Sequence, residues 1–304
     1  MFGKTHARPL GTPRRPTQRL ERLDVSDLHF ADEMPAGRLV DLPGRGKAFV
    51  RMEEGPAGAP TVLLVHGLFA TADLNWSMAI PVLATLFRVV APDLRGHGRG
   101  LRSERFTAKD CADDLAAIID TLQLGPVVVV GYSLGGVVAQ IFVRRYPELV
   151  AGLVLCATAS NFEIPTSNAA IRLVGRAVRR IPERLRRAAM LALLAPKSAD
   201  TERGRWLMSE VKRHDTRALL DATIELARFD SRGWLGSTAC PAAVIVATED
   251  TVVQAEAQRE LARILGRRPA YEVAGDHFAC VKRPTEFNAA LVDACVGVSS
   301  EDAQ

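Results

Sequence analysis

The sequence predicts an α/β protein: a mostly parallel sheet with helices on both faces and a helical segment inserted at its carboxyl edge. Three observations predict it. Short runs rich in valine, leucine and isoleucine alternate with longer stretches of helical periodicity. Those runs are apolar throughout, as strands buried on both faces must be. Between Ala157 and Ala242 the alternation stops, and helix-like patterns continue without strands. The 304 residues, 48% hydrophobic and 24% charged, suffice for one large domain with an insertion, or for two domains.

The chain opens on MFGKTHARPLGTPRRPTQRLER, with six basic side chains to one acidic. No apolar run follows Arg14-Arg15, so residues 1–24 read as a disordered basic leader rather than an export signal. GRLVDLP and KAFVRME form a hairpin that turns at Gly44-Arg45-Gly46. APTVLLVHG is a buried strand, a helix runs from about Asp73 to Thr85, and FRVVAPD is the next strand. Thr107 begins a helix reaching Leu122, with Cys111, Leu115, Ile118 and Ile119 on one face; Asp110, three residues on, completes a near capping box. PVVVVG is a strand, Leu134 to Arg145 a helix, and VAGLVLCA a strand. AAVIVAT, a helix from about Ala255 to Leu265, AYEVAG and a helix from about Pro284 to Val296 complete the pattern. The expected organisation is a core of residues 25–160 and 237–298, a helical cap at 161–236 and a short tail at 299–304.

Charge is uneven. The formal net charge is +4, but residues 161–236 hold fifteen basic side chains to nine acidic, and the remainder outside the leader is acidic. No uniform nucleic-acid surface follows, and no zinc-finger or RNA-recognition signature occurs. The arginines from Arg172 to Arg187 invite a membrane-surface reading, but an ordinary cap helix with a solvated arginine face is the preferred one. No apolar run approaches the roughly 20 residues of a membrane span. Five widely spaced cysteines without a CxxC fit reduced thiols in a cytoplasmic protein. No HExxH motif or Cys/His cluster with ligand spacing calls for a metal, and nothing calls for a cofactor.

The chemistry centres on VVVVGYSLGGVVAQ, Val127 to Gln140. Ser133 stands where a four-valine strand turns into an apolar helix, with Gly131 two residues before and Gly135 two after. This G-x-S-x-G spacing suits a sharp strand-to-helix turn that lifts a nucleophile and aims the first free helix N–H groups above it. The competing reading is a serine that merely caps the helix. A serine hydroxyl needs a base. Of six histidines, His277 follows the last predicted strand on a loop that can reach back over the sheet edge, so it is the best base. His214, in the insertion, reads as a solvated helix residue, and His66 and His97 end earlier strands. The base needs a carboxylate. VIVATEDTVV ends a strand with Glu249-Asp250, and Asp250 is preferred over Glu249, which reads as an exposed loop charge. Backbone N–H groups of Leu134 and Leu68 are the expected oxyanion donors, with Phe69 the alternative if the turn after His66-Gly67 shifts by one residue. Phe69 and Phe278 are the expected substrate contacts. Trp76, Phe162, Trp206, Phe229 and Trp234 either join an apolar pocket or belong to the core.

With HGLF, DLRGHG (Asp93 to Gly98), GYSLGG, TEDTVV and GDHF in order, the chain from about Gly37 to Val298 resembles the α/β-hydrolase superfamily, in its bacterial serine esterase and lipase-like branch with a helical cap. The resemblance implies cleavage of small or acyl-chain carboxylic esters through Ser133, His277 and Asp250, without cofactor or metal. It also implies that DLRGHG is a structural turn. Carbon–carbon bond hydrolases, perhydrolases and acyltransferases share this residue set, and a ligand receptor could reuse the scaffold. The elbow serine argues against dehalogenases and epoxide hydrolases, whose elbow carries aspartate. Three departures stand out: Arg99-Gly100-Leu101 where many relatives carry a serine, Ala247 and Gln254 flanking the acid motif, and Asp276 beside the base in place of glycine.

Overall fold

The computed structural model describes residues 27–31, 34–162, 175–195, 200–266 and 271–300. The expected leader at 1–24, the end of the tail and Arg172 lie outside these residues.

Eight strands form one sheet in the order β1-β2-β4-β3-β5-β6-β7-β8. They are β1 Gly37–Leu42, β2 Gly46–Glu53, β3 Thr61–Val65, β4 Arg88–Pro92, β5 Val127–Tyr132, β6 Val150–Cys156, β7 Ala242–Ala247 and β8 Tyr271–Val273. β1 and β2 are the expected hairpin, and β2 also runs antiparallel to β4; every pairing from β4 to β8 is parallel. Alternate residues of a strand face opposite sides. Leu63, Val65, Val127 and Val129 pack into one core layer, and Val62, Leu64, Val128 and Val130 into the other. Two buried faces explain why these strands read as unbroken apolar runs.

The first layer holds α3 (Ala108–Leu122), α4 (Leu134–Arg145) and α8 (Ala255–Ile264); the second holds α1 (Ala72–Trp76), α2 (Ile80–Leu83), α9 (Ala279–Lys282) and α10 (Pro284–Ser300). In α3 the expected face of Cys111, Leu115, Ile118 and Ile119 is buried. Thr107 accepts the Asp110 N–H at 2.9 Å, while the Asp110 carboxylate turns to Arg105 instead of closing the capping box. The single helix expected from Asp73 to Thr85 is instead two. Pro81 sits in the first turn of α2, where its missing N–H costs nothing, but in mid-helix it would break the hydrogen-bond ladder.

Between β6 and β7 lie a helical stretch at 175–180, then α5 (Glu183–Leu194), α6 (Glu202–Val211) and α7 (Thr216–Arg228). These cap helices fold over the loops at the sheet's carboxyl edge. Met190, Val211 and Leu219 pack on Leu68 and Phe69 of the loop after β3, and the Asp215 N–H donates to the Gly96 carbonyl at 2.8 Å. Arg179 pairs with Asp221, Arg186 donates to the Ile181 carbonyl, and Arg187 to that of Lys212, so part of the arginine face is tied down locally. No helix among the described residues is long and apolar enough to cross a membrane.

The chain runs from β3 outward to β4, then returns to β5 on the other side of β3. Loops leaving β3 and β5 therefore diverge to opposite faces and open a crevice between their carboxyl ends, where sites on open α/β sheets form. His66 to Ala70 leave β3 there, and Ser133 leaves β5.

Candidate active site

Ser133 adopts φ 51° and ψ −115°, a conformation that L-residues rarely hold. Its surroundings enforce it. The Ser133 N–H donates to the Cys156 carbonyl at 2.9 Å, and the Thr158 hydroxyl donates to the Ser133 carbonyl at 2.9 Å. The glycines are needed for contact. A Cβ on Gly131 would lie 2.4 Å from the Gly135 carbonyl oxygen, and one on Gly135 would lie 2.1 Å from that of Val65. Gly136, which the sequence reading passed over, is equally constrained, with Thr158 only 2.4 Å from such an atom. Ser133 occupies the N-cap position of α4, yet its side chain makes no capping bond, so the helix-cap reading fails.

The hydroxyl instead meets His277. Nε2 of His277 lies 3.0 Å from Ser133 Oγ, and Nδ1 lies 2.7 Å from Asp250 Oδ2. Asp250 is buried and saturated with donors: Val252 and Val253 N–H at 2.8 and 2.9 Å on Oδ1, and Gln258 Nε2 at 3.0 Å on Oδ2. Glu249 is exposed, as expected. Asp276 turns away from the imidazole, accepting from Lys282 Nζ and from the Phe278 N–H, each at 2.8 Å. Two supporting residues escaped the sequence reading. Gln258 also accepts the Ala247 N–H and donates to the Val253 carbonyl, tying β7, the acid loop and α8 together. Its signal was a glutamine on the buried face of α8. Tyr132 donates its phenolic O–H to the His277 carbonyl at 2.9 Å.

Gly67 touches the serine: a Cβ built on it would lie 3.4 Å from Ser133 Cβ. Residues Gly67 to Ala70 form a turn closed by the Ala70 N–H on the Gly67 carbonyl, with Phe69 at φ 59°. Asn75 Oδ1 accepts the Gly67 N–H at 2.9 Å. The Leu94 N–H donates to His66 Nε2 at 2.9 Å, which leaves the proton on Nδ1 to donate to the Gly67 carbonyl at 2.8 Å. Among the described residues, the N–H groups of Leu68 and Leu134 are engaged in no hydrogen bond.

The remaining histidines serve the frame. His97 is fully buried, stands 5.3 Å from the His66 ring and 5.4 Å from that of His214, and points Nδ1 at the Arg95 carbonyl. His214 corrects an expectation: it is buried between the cap and the core, not solvated, and it follows α6 rather than lying on it. Burial lowers the pKa of all three imidazoles to about 3.

The aromatic residues divide. Phe69 packs with the cap cluster above the crevice, and Phe278 stands edge-on to His277 with 40% exposure. Trp76 is core, wedged against Tyr132 and Phe287. Trp206 stacks on Phe30, and Trp234 stacks on Arg144 beside an open cavity of about 520 Å³ at the amino end of β6, away from Ser133.

The model of the α/β hydrolase fold family matches residues 60–203. The chain is 32% identical over 244 residues, 77% of its own length and 93% of the relative's, to a pimeloyl-[acyl-carrier protein] methyl ester esterase of Chromobacterium violaceum. The chain belongs to the α/β-hydrolase family. Two solved α/β-hydrolase structures resemble it closely. An enol-lactonase from Burkholderia xenovorans LB400 superimposes with a TM-score of 0.70 at 22% identity, covering 85% of this chain and 100% of that one. A thermophilic esterase from Thermogutta terrifontis gives a TM-score of 0.66 at 26% identity, covering 85% and 97%. The relative from Chromobacterium violaceum and the Thermogutta terrifontis structure are both esterases.

Proposed function

We propose that this hydrolase cleaves carboxylic esters through an acyl-enzyme on Ser133. The observation that carries the reading is the unbroken hydrogen-bonded chain from Ser133 Oγ through His277 to buried Asp250, next to a turn whose Leu68 N–H is uncommitted. His277 Nε2 takes the Ser133 proton as Oγ attacks the ester carbonyl carbon. The N–H groups of Leu68 and Leu134 receive the developing oxyanion. The imidazolium, steadied by Asp250, then protonates the departing alcohol. Water next gives a proton to His277, its oxygen attacks the acyl carbon, and the acid leaves as Ser133 regains its proton.

The apolar floor of the cap around Phe69, with Met190, Val211 and Leu219, supports a hydrophobic acyl or small apolar ester as substrate. Phe278, exposed and edge-on to His277, is the second substrate contact in this reading. The ester in the Chromobacterium relative's name, a methyl ester on a carrier-bound acyl chain, belongs to this chemical class.

A series of p-nitrophenyl esters of increasing acyl length, run beside a fluorophosphonate probe, tests the reading. Turnover with labelling at Ser133 is expected. Labelling without turnover of any ester would move the chain to acyl transfer or carbon–carbon cleavage on the same residues. Neither labelling nor turnover would leave a ligand-binding protein on this scaffold.

A further inference from the structure

The turn at residues 67–70 carries an N–H that must point at one spot, and its conformation is a costly one. Phe69 sits at φ 59°, a left-handed conformation that is strained for a non-glycine residue and persists only where neighbours over-determine it. Two anchors, Asn75 and His66, hold Gly67 and come from the core. Nothing from the core holds the carbonyl of Phe69 among the described residues. That carbonyl is met by the cap: His214 Nε2 lies 3.2 Å from it. The other ring nitrogen, Nδ1, accepts the Gly98 N–H at 3.0 Å. A backbone N–H can only donate, so Nδ1 is the acceptor and Nε2 carries the proton. The imidazole is therefore a two-ended bolt of fixed polarity, from the 96–98 turn of the core through the cap to the turn beside Ser133.

The backbone that carries His214 is itself pinned to the core. Arg99 donates to Glu210 Oε1 at 2.9 Å and to Asp73 at 3.2 Å, and the Thr71 hydroxyl donates to Glu210 at 3.3 Å. The Asp215 N–H donates to the Gly96 carbonyl, and Ala218 lies so close that Gly96 has no room for a side chain. Arg99 leaves the core turn, and its partner Glu210 comes from the inserted segment. The cap therefore does more than roof the crevice.

We propose that His214 is a positioning residue for the oxyanion turn, holding the Phe69 carbonyl so that the Leu68 N–H stays aimed above Ser133. The assignment rests on the esterase reading for its chemistry but on hydrogen-bond geometry for its mechanism. An imidazole held neutral by burial keeps its donor on Nε2 across ordinary working pH. Loss of the bolt frees the Phe69 peptide to leave its strained conformation, which moves the donor while leaving the pocket walls in place. The effect must fall on the transition state more than on substrate binding.

The test compares His214→Phe, which keeps volume and removes both bonds, with His214→Gln, whose amide supplies an acceptor and a donor on one side chain. Active sites are counted by fluorophosphonate titration, so kcat refers only to folded, competent chains. The expected result is a kcat for p-nitrophenyl ester hydrolysis ~10- to 100-fold lower in H214F, KM changed less than about threefold, and partial recovery in H214Q. The rate constant for Ser133 phosphonylation should fall in parallel, because that step also builds charge on an oxygen in the same place. A fall in titratable sites with kcat per site unchanged would overturn the proposal, since that is the signature of a merely structural residue. Equal kcat in H214F and wild type would overturn it too. If the wild-type chain labels at Ser133 but hydrolyses no ester, the esterase reading fails alone, and the phosphonylation rates still decide for or against His214.

Discussion

Tyr132 holds the carbonyl of His277 at 2.9 Å, so the residue just before Ser133 fixes the loop that carries the imidazole to Ser133. The ring of Tyr132 also stands edge-on to that imidazole, with centroids 5.9 Å apart. One strand end therefore sets both ends of the Ser133–His277 contact. Tyr132→Phe keeps the ring and removes the hydroxyl. Leaving this part-buried carbonyl unpaired should cost about 1 kcal/mol of stability. The freed histidine loop should lower kcat/KM several-fold. Thermal melting and ester kinetics on the one variant check both, and an unchanged kcat/KM would detach the loop anchor from activity.

Gln258 predicts a larger loss of stability. Its amide joins Asp250, the Val253 carbonyl and the Ala247 N–H in a buried site. Gln258→Leu leaves at least two buried backbone groups unpaired, so destabilisation of about 2–5 kcal/mol is expected from urea unfolding. Asp250 would keep its Val252 and Val253 donors, so the fraction that remains folded should retain most of its activity. Loss of all activity in well-folded protein would show that Gln258 does more than hold the loop.

The elbow glycines predict a hierarchy. Gly135→Ala drives a methyl into the Val65 and His66 carbonyls, which are backbone and cannot move aside. It should abolish folding or activity. Gly125→Ala meets no neighbouring atom and suffers only from φ 68°. It should cost about 1 kcal/mol and leave kcat unchanged. Expression level and melting temperature of the pair check the contrast.

Acid should unfold the chain through its buried histidines. His66, His97 and His214 have pKa values of about 3 in the fold, because burial opposes their charge, against about 6.5 when unfolded. Between those values the unfolded chain binds protons that the folded chain refuses. Stability is therefore full above pH 6.5 and falls as pH drops toward 3, by up to roughly 1.4 kcal/mol per pH unit for each group. Asp93 opposes this: burial raises its carboxyl to about 6, so its contribution is present at low pH and lost as pH rises through 6. Three groups outweigh one. The urea midpoint at pH 5 should lie below that at pH 7.5, and a flat profile would contradict the neutral, buried histidines.

What the sequence made legible follows from distance along the chain. β5, the elbow and α4 are contiguous, and their apolar pattern and glycines specified Ser133 without tertiary information. His277 and Asp250 followed from strand order, because each lies just past a strand's carboxyl end. Contacts made across the fold were not legible. His214 looked like a solvated residue because its partners, Gly98 and Phe69, lie 116 and 145 positions away. Trp76 looked available for a pocket until Tyr132 and Phe287 closed around it. The break between α1 and α2 was present in the sequence as Pro81, but the helical spacing on either side outweighed it.

The whole reaction depends on nucleophilic attack by Ser133. It is tested most directly by treating wild type and Ser133→Ala with a fluorophosphonate, mapping the adduct by peptide mass, and measuring ester turnover on the same preparations. One adduct is expected, on Ser133, with a fall in kcat on the order of 10⁴-fold or more in the alanine variant and its melting temperature preserved. An adduct on another residue, or ester turnover that survives the substitution, would contradict it.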